Sequence, residues 1–157
     1  SDCRHRPAWQ WDGVQFEYLL TPRISSGNNA SCVLKVTSAD GRGVLLPGDI
    51  ERSVEAALIS AQAERLDASV LIAPHHGSRS SSTAEFIQAV KPDWVLFATG
   101  YRNRFGFPKA EVVARYRSAG ARWMDTAVVG AISVTIEAGQ AVRVEGWRKR
   151  HKRIWRH

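Results

Sequence analysis

The chain has 157 residues, of which 44% are apolar and six are tryptophan. A chain of this length and composition can bury one hydrophobic core, which favours a single domain and excludes a disordered body. No apolar run approaches the ~18–20 residues of a membrane helix, and residues 1–20 lack the basic-then-apolar layout of a signal peptide, so we expect a soluble chain.

The first residue is serine, and the only methionine is Met124. We therefore expect the sequence to begin inside a longer protein. Parts of the functional unit are then expected to lie outside this chain.

Two cysteines, Cys3 and Cys32, are too few and too far apart for a metal knuckle of two closely spaced cysteines. An even number permits one disulfide across the first segment, and we favour that interpretation. The alternative is a pair of buried free thiols in a reducing compartment, and composition does not choose between them because it does not report redox conditions.

The first elements in chain order are two β-hairpins. Apolar and polar residues alternate on both sides of an Asp12-Gly13 turn, over 9–11 and 14–19, which is a strong hairpin signal. After a polar loop, residues 31–37 and 43–46 predict a second pair of strands. Asp49 then follows the end of the second hairpin.

Helices and strands alternate through the middle of the chain. The pattern predicts helices over 53–66, 83–90 and 110–118, and strands over 69–73, 93–98 and 122–125. Glu51 and Glu55 lie near the start of the first helix, where acidic residues complement the helix dipole. This alternation predicts an α/β chain with a parallel region in a mixed (α+β) sheet, and residues 131–136 and 141–145 predict a final antiparallel pair.

The chain ends in a basic segment. Six Lys or Arg residues and no acid lie in 148–157, which gives that segment six of the seven net positive charges. We predict a folded domain over 1–147 and a flexible tail over 148–157. Such a cluster attracts phosphate backbones or anionic lipid, and the alternative is a disordered tail that only aids solubility.

The candidate site combines Asp49 with His75 and His76, because each follows a strand-like apolar run. Carboxylate and imidazole together suit zinc or manganese. Side chains of neighbouring residues point in opposite directions on an extended segment, so we expect one histidine to bind metal and the other to support it or touch substrate. The alternatives are a Gly-Asp turn without a ligand role and a buried, hydrogen-bonded histidine pair.

Four motifs then identify a resemblance. The runs Asn29-Ala30-Ser31-Cys32-Val33-Leu34, Leu46-Pro47-Gly48-Asp49-Ile50-Glu51, Pro74-His75-His76-Gly77-Ser78 and Tyr101-Arg102-Asn103-Arg104-Phe105-Gly106 occur in this order. Together they closely resemble the C-terminal domain of ComEC-type competence proteins, which are inner-membrane DNA-uptake channels. The resemblance covers the chain from Cys3 to about Glu145.

The resemblance implies a fold, a chemistry and partners. The chain would be the C-terminal part of a metallo-β-lactamase-like αββα sandwich that holds two divalent ions, zinc or manganese, and degrades the non-transported DNA strand. Asp49 would bridge the ions, and one histidine of His75-His76 would bind the second ion. Ser78, Asn103 and Arg104 would contact phosphate.

The resemblance also implies where the domain works. It would lie on the periplasmic side of an inner-membrane parent protein, with which a disulfide between Cys3 and Cys32 would agree. Its partners would be DNA, the N-terminal half of the domain and the membrane channel, and no nucleotide cofactor is expected.

Two departures from the family pattern weaken catalysis in this chain. The His-x-His-x-Asp-His cluster of the fold is absent, so we expect metal binding to be weak or absent and the isolated chain to be inactive. The chain reads Gly106-Phe107-Pro108-Lys109 where relatives show Gly-His-Pro-His. Lys109 offers a point charge for phosphate but cannot replace histidine as a proton donor. The alternative function is therefore a degenerate module that binds single-stranded DNA without cleavage.

Overall fold

The computed structural model describes residues 3, 6–19 and 27–150 of the chain. Within these residues the chain forms nine strands and five α-helices. The strands are β1 (Trp9–Trp11), β2 (Val14–Leu19), β3 (Val33–Thr37), β4 (Gly43–Leu46), β5 (Val70–Ile72), β6 (Trp94–Phe97), β7 (Arg122–Asp125), β8 (Ile132–Thr135) and β9 (Arg143–Gly146). The helices are α1 (Arg52–Gln62), α2 (Ala84–Val90), α3 (Ala110–Ser118), α4 (Thr126–Val129) and α5 (Trp147–Arg150).

Strands β1 to β7 form one mixed sheet in sequence order. Strands β1 to β4 pair antiparallel, and strands β4 to β7 pair parallel. This confirms the predicted α/β class with a mixed sheet. Because parallel strands end at the same edge, the loops that follow β4, β5, β6 and β7 meet along one edge of the sheet.

The first hairpin turns at the predicted dipeptide. Asp12 and Gly13 have φ angles of 49° and 77°, which a two-residue hairpin turn of this handedness requires. Trp11 then pairs with Val14 across the turn. The Asp-Gly signal therefore set the register of the hairpin correctly.

Three helices cover one face of the sheet. Their apolar side chains and those of the inner strand face form one buried cluster, which includes Val54, Leu58, Phe86, Val112, Tyr116, Leu45, Leu71, Val95 and Phe97. Each such side chain contributes about 1.5–3 kcal/mol when it leaves water. The resulting core holds the parallel strands in place, and so also the loops at their carboxyl ends.

A small second sheet covers part of the other face. Strands β8 and β9 pair antiparallel, as predicted, with Val134 opposite Val144. Val144 packs with Val70 and Leu96 of the large sheet in a second apolar cluster. The layers are thus helices, a mixed sheet and a two-stranded sheet.

The first predicted helix is shorter than the sequence suggested. Residues 53–66 predict one helix, but α1 ends at Gln62 and a 3-10 turn follows over Ala63–Arg65. The third predicted helix matches α3, and Gly120 adopts a φ of 83° just beyond its end. None of the described helices is long and apolar enough to cross a membrane.

The two ends of the chain are joined to the body differently. Cys3 and Cys32 form a disulfide, with Cα atoms 6.0 Å apart. Arg148, the first residue of the predicted tail, donates from Nη1 to the carbonyl oxygens of Ala127 at 2.7 Å and Val128 at 2.9 Å. Residues 151–157 lie outside the described residues, so flexibility of the tail stays a prediction.

Candidate functional site

Asp49 lies in a tight turn directly after β4. Gly48 has a φ of 63°, and a Cβ atom there would lie 2.8 Å from Cβ of Ser31. The backbone N–H of Asp49 donates to Oγ of Ser31 at 3.0 Å. Glycine and serine therefore fix the start of the turn, and the carboxylate of Asp49 remains 42% exposed.

The histidines follow β5 in an unusual backbone conformation. His75 and His76 have φ angles of 46° and 54°, and Gly77 follows with a φ of 82°. A left-handed conformation costs about 1–2 kcal/mol for each non-glycine residue. The expected extended segment is therefore wrong, and a sharp turn separates the two imidazoles instead.

Contacts on both sides hold this turn. The N–H of His75 donates to the carbonyl of Gly48 at 3.0 Å, and the buried hydroxyl of Ser81 donates to the carbonyl of Pro74 at 2.9 Å. A Cβ atom at Gly77 would lie 2.8 Å from both Phe97 Cε1 and Pro108 Cβ. The turn is thus enclosed by neighbouring elements, which maintain its backbone strain.

His76 faces Asp49. Its Nδ1 lies 2.8 Å from the carbonyl oxygen of Ala98, and since a carbonyl only accepts, Nδ1 carries the proton. Its Nε2 lies 3.5 Å from Oδ1 of Asp49. Donation of one ring N–H to a backbone carbonyl is common for metal-binding histidines, and it leaves Nε2 on the side of the Asp49 carboxylate.

His75 turns away to a different carboxylate. Its Nδ1 lies 3.3 Å from Oε1 of Glu51 and 3.3 Å from Oγ of Ser80, and its Nε2 lies 3.5 Å from Nδ2 of Asn28. Ser80 also donates to Glu51 at 2.8 Å, and this hydrogen bond holds the pKa of Glu51 below its ordinary value. The two predicted histidines therefore have separate partners.

The sequence pattern did not identify Glu51 and Asn29 as parts of the site. Oδ1 of Asn29 accepts the N–H of Glu51 at 2.9 Å, which ties the 3-10 turn Gly27–Ala30 to the turn after β4. Glu51 was assigned to the dipole of α1, but its carboxylate serves Ser80 and His75. The run Asn29-Ala30-Ser31 within the family motif was the available signal for this support.

The third wall of the site is the segment after β6, residues 100–107, called here the 100–107 loop. A cleft of about 230 Å³ lies between this loop and His76, lined also by Thr99, Asn103, Phe105 and Phe107. Phe107 stacks against Phe105 at 5.6 Å and contacts the ring of His75 at 5.8 Å. The aromatic pair thus borders both histidines.

The four predicted phosphate contacts have different surroundings. The amide of Asn103 is used within the loop, donating to Phe107 O and accepting from Phe107 N, both at 2.8 Å, and its phosphate contact stays a prediction. The hydroxyl of Ser78 lies 3.2 Å from that of Ser80. Arg104 is exposed beside Phe105, and Nζ of Lys109 donates to the carbonyl of Phe105 at 2.5 Å.

Asp125, at the end of β7, supports Thr99, which directly precedes the 100–107 loop. The buried carboxylate of Asp125 accepts from the hydroxyl of Thr99 and from the N–H of Ala127 at 2.8 Å. The N–H of Thr99 donates to Thr126 at 2.9 Å. The sequence showed Asp125 only as a strand end, with no nearby signal for this role.

The spacing of Asp49 and His76 suits two ligands of one divalent ion. Two ligands at about 2.1 Å from a tetrahedral ion lie about 3.4 Å apart, close to the 3.5 Å between Asp49 and His76. In the part of the chain that the structure describes, no three His, Cys, Asp or Glu side chains converge on one ion position. Asp49 and His76 thus fit two ligand positions, and we call this pair the half-site.

No protein-family model matches the chain. The chain is 35% identical over 133 residues to competence protein ComA of Neisseria gonorrhoeae, covering 83% of this chain and 19% of that protein. It is 34% identical over 157 residues to the uncharacterized protein YcaI of Escherichia coli K12, covering 99% of this chain and 21% of that protein. It is 32% identical over 135 residues to recombination protein 2 of Haemophilus influenzae, covering 84% of this chain and 16% of that protein. The chain spans about a fifth of the length of these curated relatives, and the match to a competence protein supports a competence-related family for it.

Proposed function

We propose that the chain is part of a competence DNA-uptake protein and carries half of a metal-dependent nuclease site. The observation that carries this proposal is the orientation of His76. Ala98 binds Nδ1, which leaves Nε2 directed towards Asp49 at 3.5 Å. The pair would hold a zinc or manganese ion in a domain of the metallo-β-lactamase type, and the ion would supply Lewis-acid stabilisation of a phosphodiester.

Stability does not explain this arrangement. The side chains of His76 and Asp49 are 46% and 42% exposed, and an exposed ion pair contributes only about 0–1 kcal/mol. The left-handed residues beside them cost more than that. Strain without a matching gain in stability is typical of a functional site.

The remaining ligands would come from other parts of a longer protein. The described residues supply two ligand positions, and the relatives are about five times the length of this chain. A second ion would then be held between the half-site and those parts, with Asp49 as the bridging carboxylate. Glu51 would orient His75 at the rim, and Ser78, Arg104 and Lys109 would face the phosphate groups.

The proposed location is the periplasmic face of an inner-membrane parent. The disulfide between Cys3 and Cys32 supports it, because disulfides persist in oxidising compartments. The DNA partner of the domain would be the strand that is not transported.

Two measurements test the proposal. Calorimetric titration of this chain with zinc and manganese should show weak binding that the double variant Asp49→Asn, His76→Ala lacks and the exposed-surface control Asp67→Asn keeps. A longer protein that includes the preceding segment should cleave DNA only with added metal. Cleavage that persists unchanged in the double variant would refute the nuclease assignment.

A second candidate function is a module that binds single-stranded DNA without cutting it. Phe107 and Lys109 favour it, because they occupy positions where the family shows histidine, and residues 100–109 contain no histidine. DNA binding by the longer protein, with neither metal binding nor cleavage, would select this function over the first.

A further inference from the structure

We propose that the 100–107 loop is a platform on which unpaired nucleic-acid bases stack, next to the half-site. The inference rests on the proposed DNA-handling function and names the form of DNA that the site takes. Four features of the loop carry it: exposed rings, stacked guanidinium groups, charge and internal order.

The loop exposes two large aromatic rings. Tyr101 is 69% exposed and Phe105 is 56% exposed, although apolar rings of this size contribute most when buried. The guanidinium carbon of Arg102 lies 5.2 Å from the centroid of Tyr101, and that of Arg104 lies 4.9 Å from the centroid of Phe105. Exposed rings beside arginines are the groups on which proteins stack unpaired bases.

The charge of the loop suits a phosphate backbone. Residues 100–109 contain Arg102, Arg104 and Lys109 and no acid. The nearest acid that follows, Glu111, is paired with Arg79 at 2.7 Å. The positive charges therefore remain available to a strand whose bases lie on the rings.

The loop is also ordered before any ligand binds. Asn103 donates to the carbonyls of Gly100 at 3.2 Å and Phe107 at 2.8 Å and accepts from Phe107 N at 2.8 Å, and Gly106 N donates to Asn103 O at 3.1 Å. Lys109 closes the other side through the carbonyl of Phe105. A preformed loop loses little conformational entropy on binding, which favours affinity.

The position of the platform links it to the half-site. Phe105 and His76 line the same cleft, of about 230 Å³. A strand that stacks on Tyr101 and Phe105 would therefore pass beside the imidazole. A duplex keeps its bases stacked inside, so it offers nothing to the rings and only phosphates to the arginines.

Fluorescence anisotropy in the presence of EDTA tests this, using the full chain. The probes are a ~20-nucleotide oligothymidylate, longer than the ~4–16 nucleotides that one single-strand-binding domain covers, and a duplex of equal length. We expect Tyr101→Ala and Phe105→Ala each to weaken single-strand binding by about five- to 140-fold, the range that a stacking free energy of ~1–3 kcal/mol per base gives. Duplex affinity should not change, and Tyr101→Phe, which keeps the ring, should bind like the wild type.

Trp11→Ala is the matched control, because Trp11 is 75% exposed on β1, five strands from β6. Equal losses for single strand and duplex, or wild-type single-strand binding by both alanine variants, would overturn the platform. Metal binding by the half-site is measured separately, so the platform can fail while the nuclease proposal stands. Conversely, single-strand binding that depends on Tyr101 and Phe105, together with metal binding that does not change in the Asp49→Asn, His76→Ala variant, would refute only the nuclease proposal.

Discussion

His75 and His76 are adjacent in sequence, yet the left-handed turn gives them different partners. His76 presents Nε2 to Asp49, whereas His75 contacts Glu51, Ser80 and Asn28. The turn thus places one imidazole beside Asp49, as a proposed metal ligand, and the other beside Glu51. The two histidines should therefore respond differently to substitution.

We expect His76→Ala to abolish calorimetric metal binding by the chain, since it removes a ligand. His75→Ala should weaken binding less, because the ring of His75 contacts Glu51, Ser80 and Asn28 and neither member of the half-site. Equal effects of the two substitutions would show that the histidines are not divided in this way.

Gly77 provides a residue-scale test of how tightly the turn is enclosed. Gly77 and Gly120 have nearly equal φ angles of 82° and 83°, but a Cβ atom meets Phe97 and Pro108 at 2.8 Å at the first and nothing within 4 Å at the second. Both alanine variants carry the cost of a left-handed alanine, of about 1–2 kcal/mol. Urea denaturation should show Gly77→Ala to be less stable than Gly120→Ala by a further ~1–3 kcal/mol of overpacking. Equal losses would mean that the neighbours of Gly77 move aside easily.

At the scale of elements, a buried polar network joins the three helices to the histidine turn. Glu55 of α1 is fully buried and accepts from the N–H groups of Ser82 at 2.6 Å and Thr83 at 2.9 Å, at the start of α2. Arg115 of α3 donates to the carbonyls of Ser82 and Ser81, and Ser81 in turn binds the carbonyl of Pro74. The helices therefore hold the segment that enters the turn.

The pH dependence of stability should report this network. Burial raises the pKa of Glu55 above its usual value of about 4.5, against the opposing effect of its hydrogen bonds. Between the usual and the raised value, the unfolded chain ionises while the folded chain keeps the proton, so stability falls as pH rises through this window. The stability of wild type relative to Glu55→Gln should thus decrease as the pH rises above about 4.5 in urea denaturation. An increase would mean that the hydrogen bonds from Ser82 and Thr83 lower the pKa instead.

The elements could be predicted more fully than the network. The hairpin around Asp12-Gly13 and the helix over 110–118 could be predicted because each has a local pattern of apolar and polar residues in the sequence. Glu55 was assigned to its own helix dipole because sequence proximity cannot show that its carboxylate reaches a different helix. Likewise Asp49, His75 and His76 were found as types of ligand, but the left-handed turn that separates the histidines depends on contacts with Phe97 and Pro108, distant in sequence.

At the scale of the whole molecule, the candidate site and the proposed platform lie on one edge of the mixed sheet. The loops after β4, β5 and β6 carry Asp49, the histidines and the exposed rings of Tyr101 and Phe105, respectively. The basic segment at 148–157 begins in α5, where Arg148 donates to the carbonyls of Ala127 and Val128 in α4, directly after β7. The start of the segment therefore lies at the same edge of the sheet as the 100–107 loop.

Two deletions in the basic segment distinguish the effect of its charge from the effect of the hydrogen bonds of Arg148. Deleting 149–157 removes five of the six basic residues and keeps Arg148 in place. We expect weaker DNA binding and a shallower dependence of log affinity on log salt, by up to about 0.7 per lost phosphate contact on a single strand. An unchanged slope in a salt titration would show that the segment does not bind DNA. The deletion of 148–157 shows, by comparison, what Arg148 adds.

The disulfide suggests an order of events in the maturation of the site. Cys32 directly follows Ser31, whose hydroxyl holds the backbone of Asp49 at 3.0 Å, so oxidation of the cysteine pair fastens a neighbour of the ligand. We expect the disulfide-bonded protein to bind metal more tightly than the reduced protein or the double variant Cys3→Ser, Cys32→Ser. Calorimetric titration of the three forms measures this difference. Under the proposed function, a chain made in a reducing compartment would bind metal weakly until its disulfide formed, which would delay activity against the cell's own DNA.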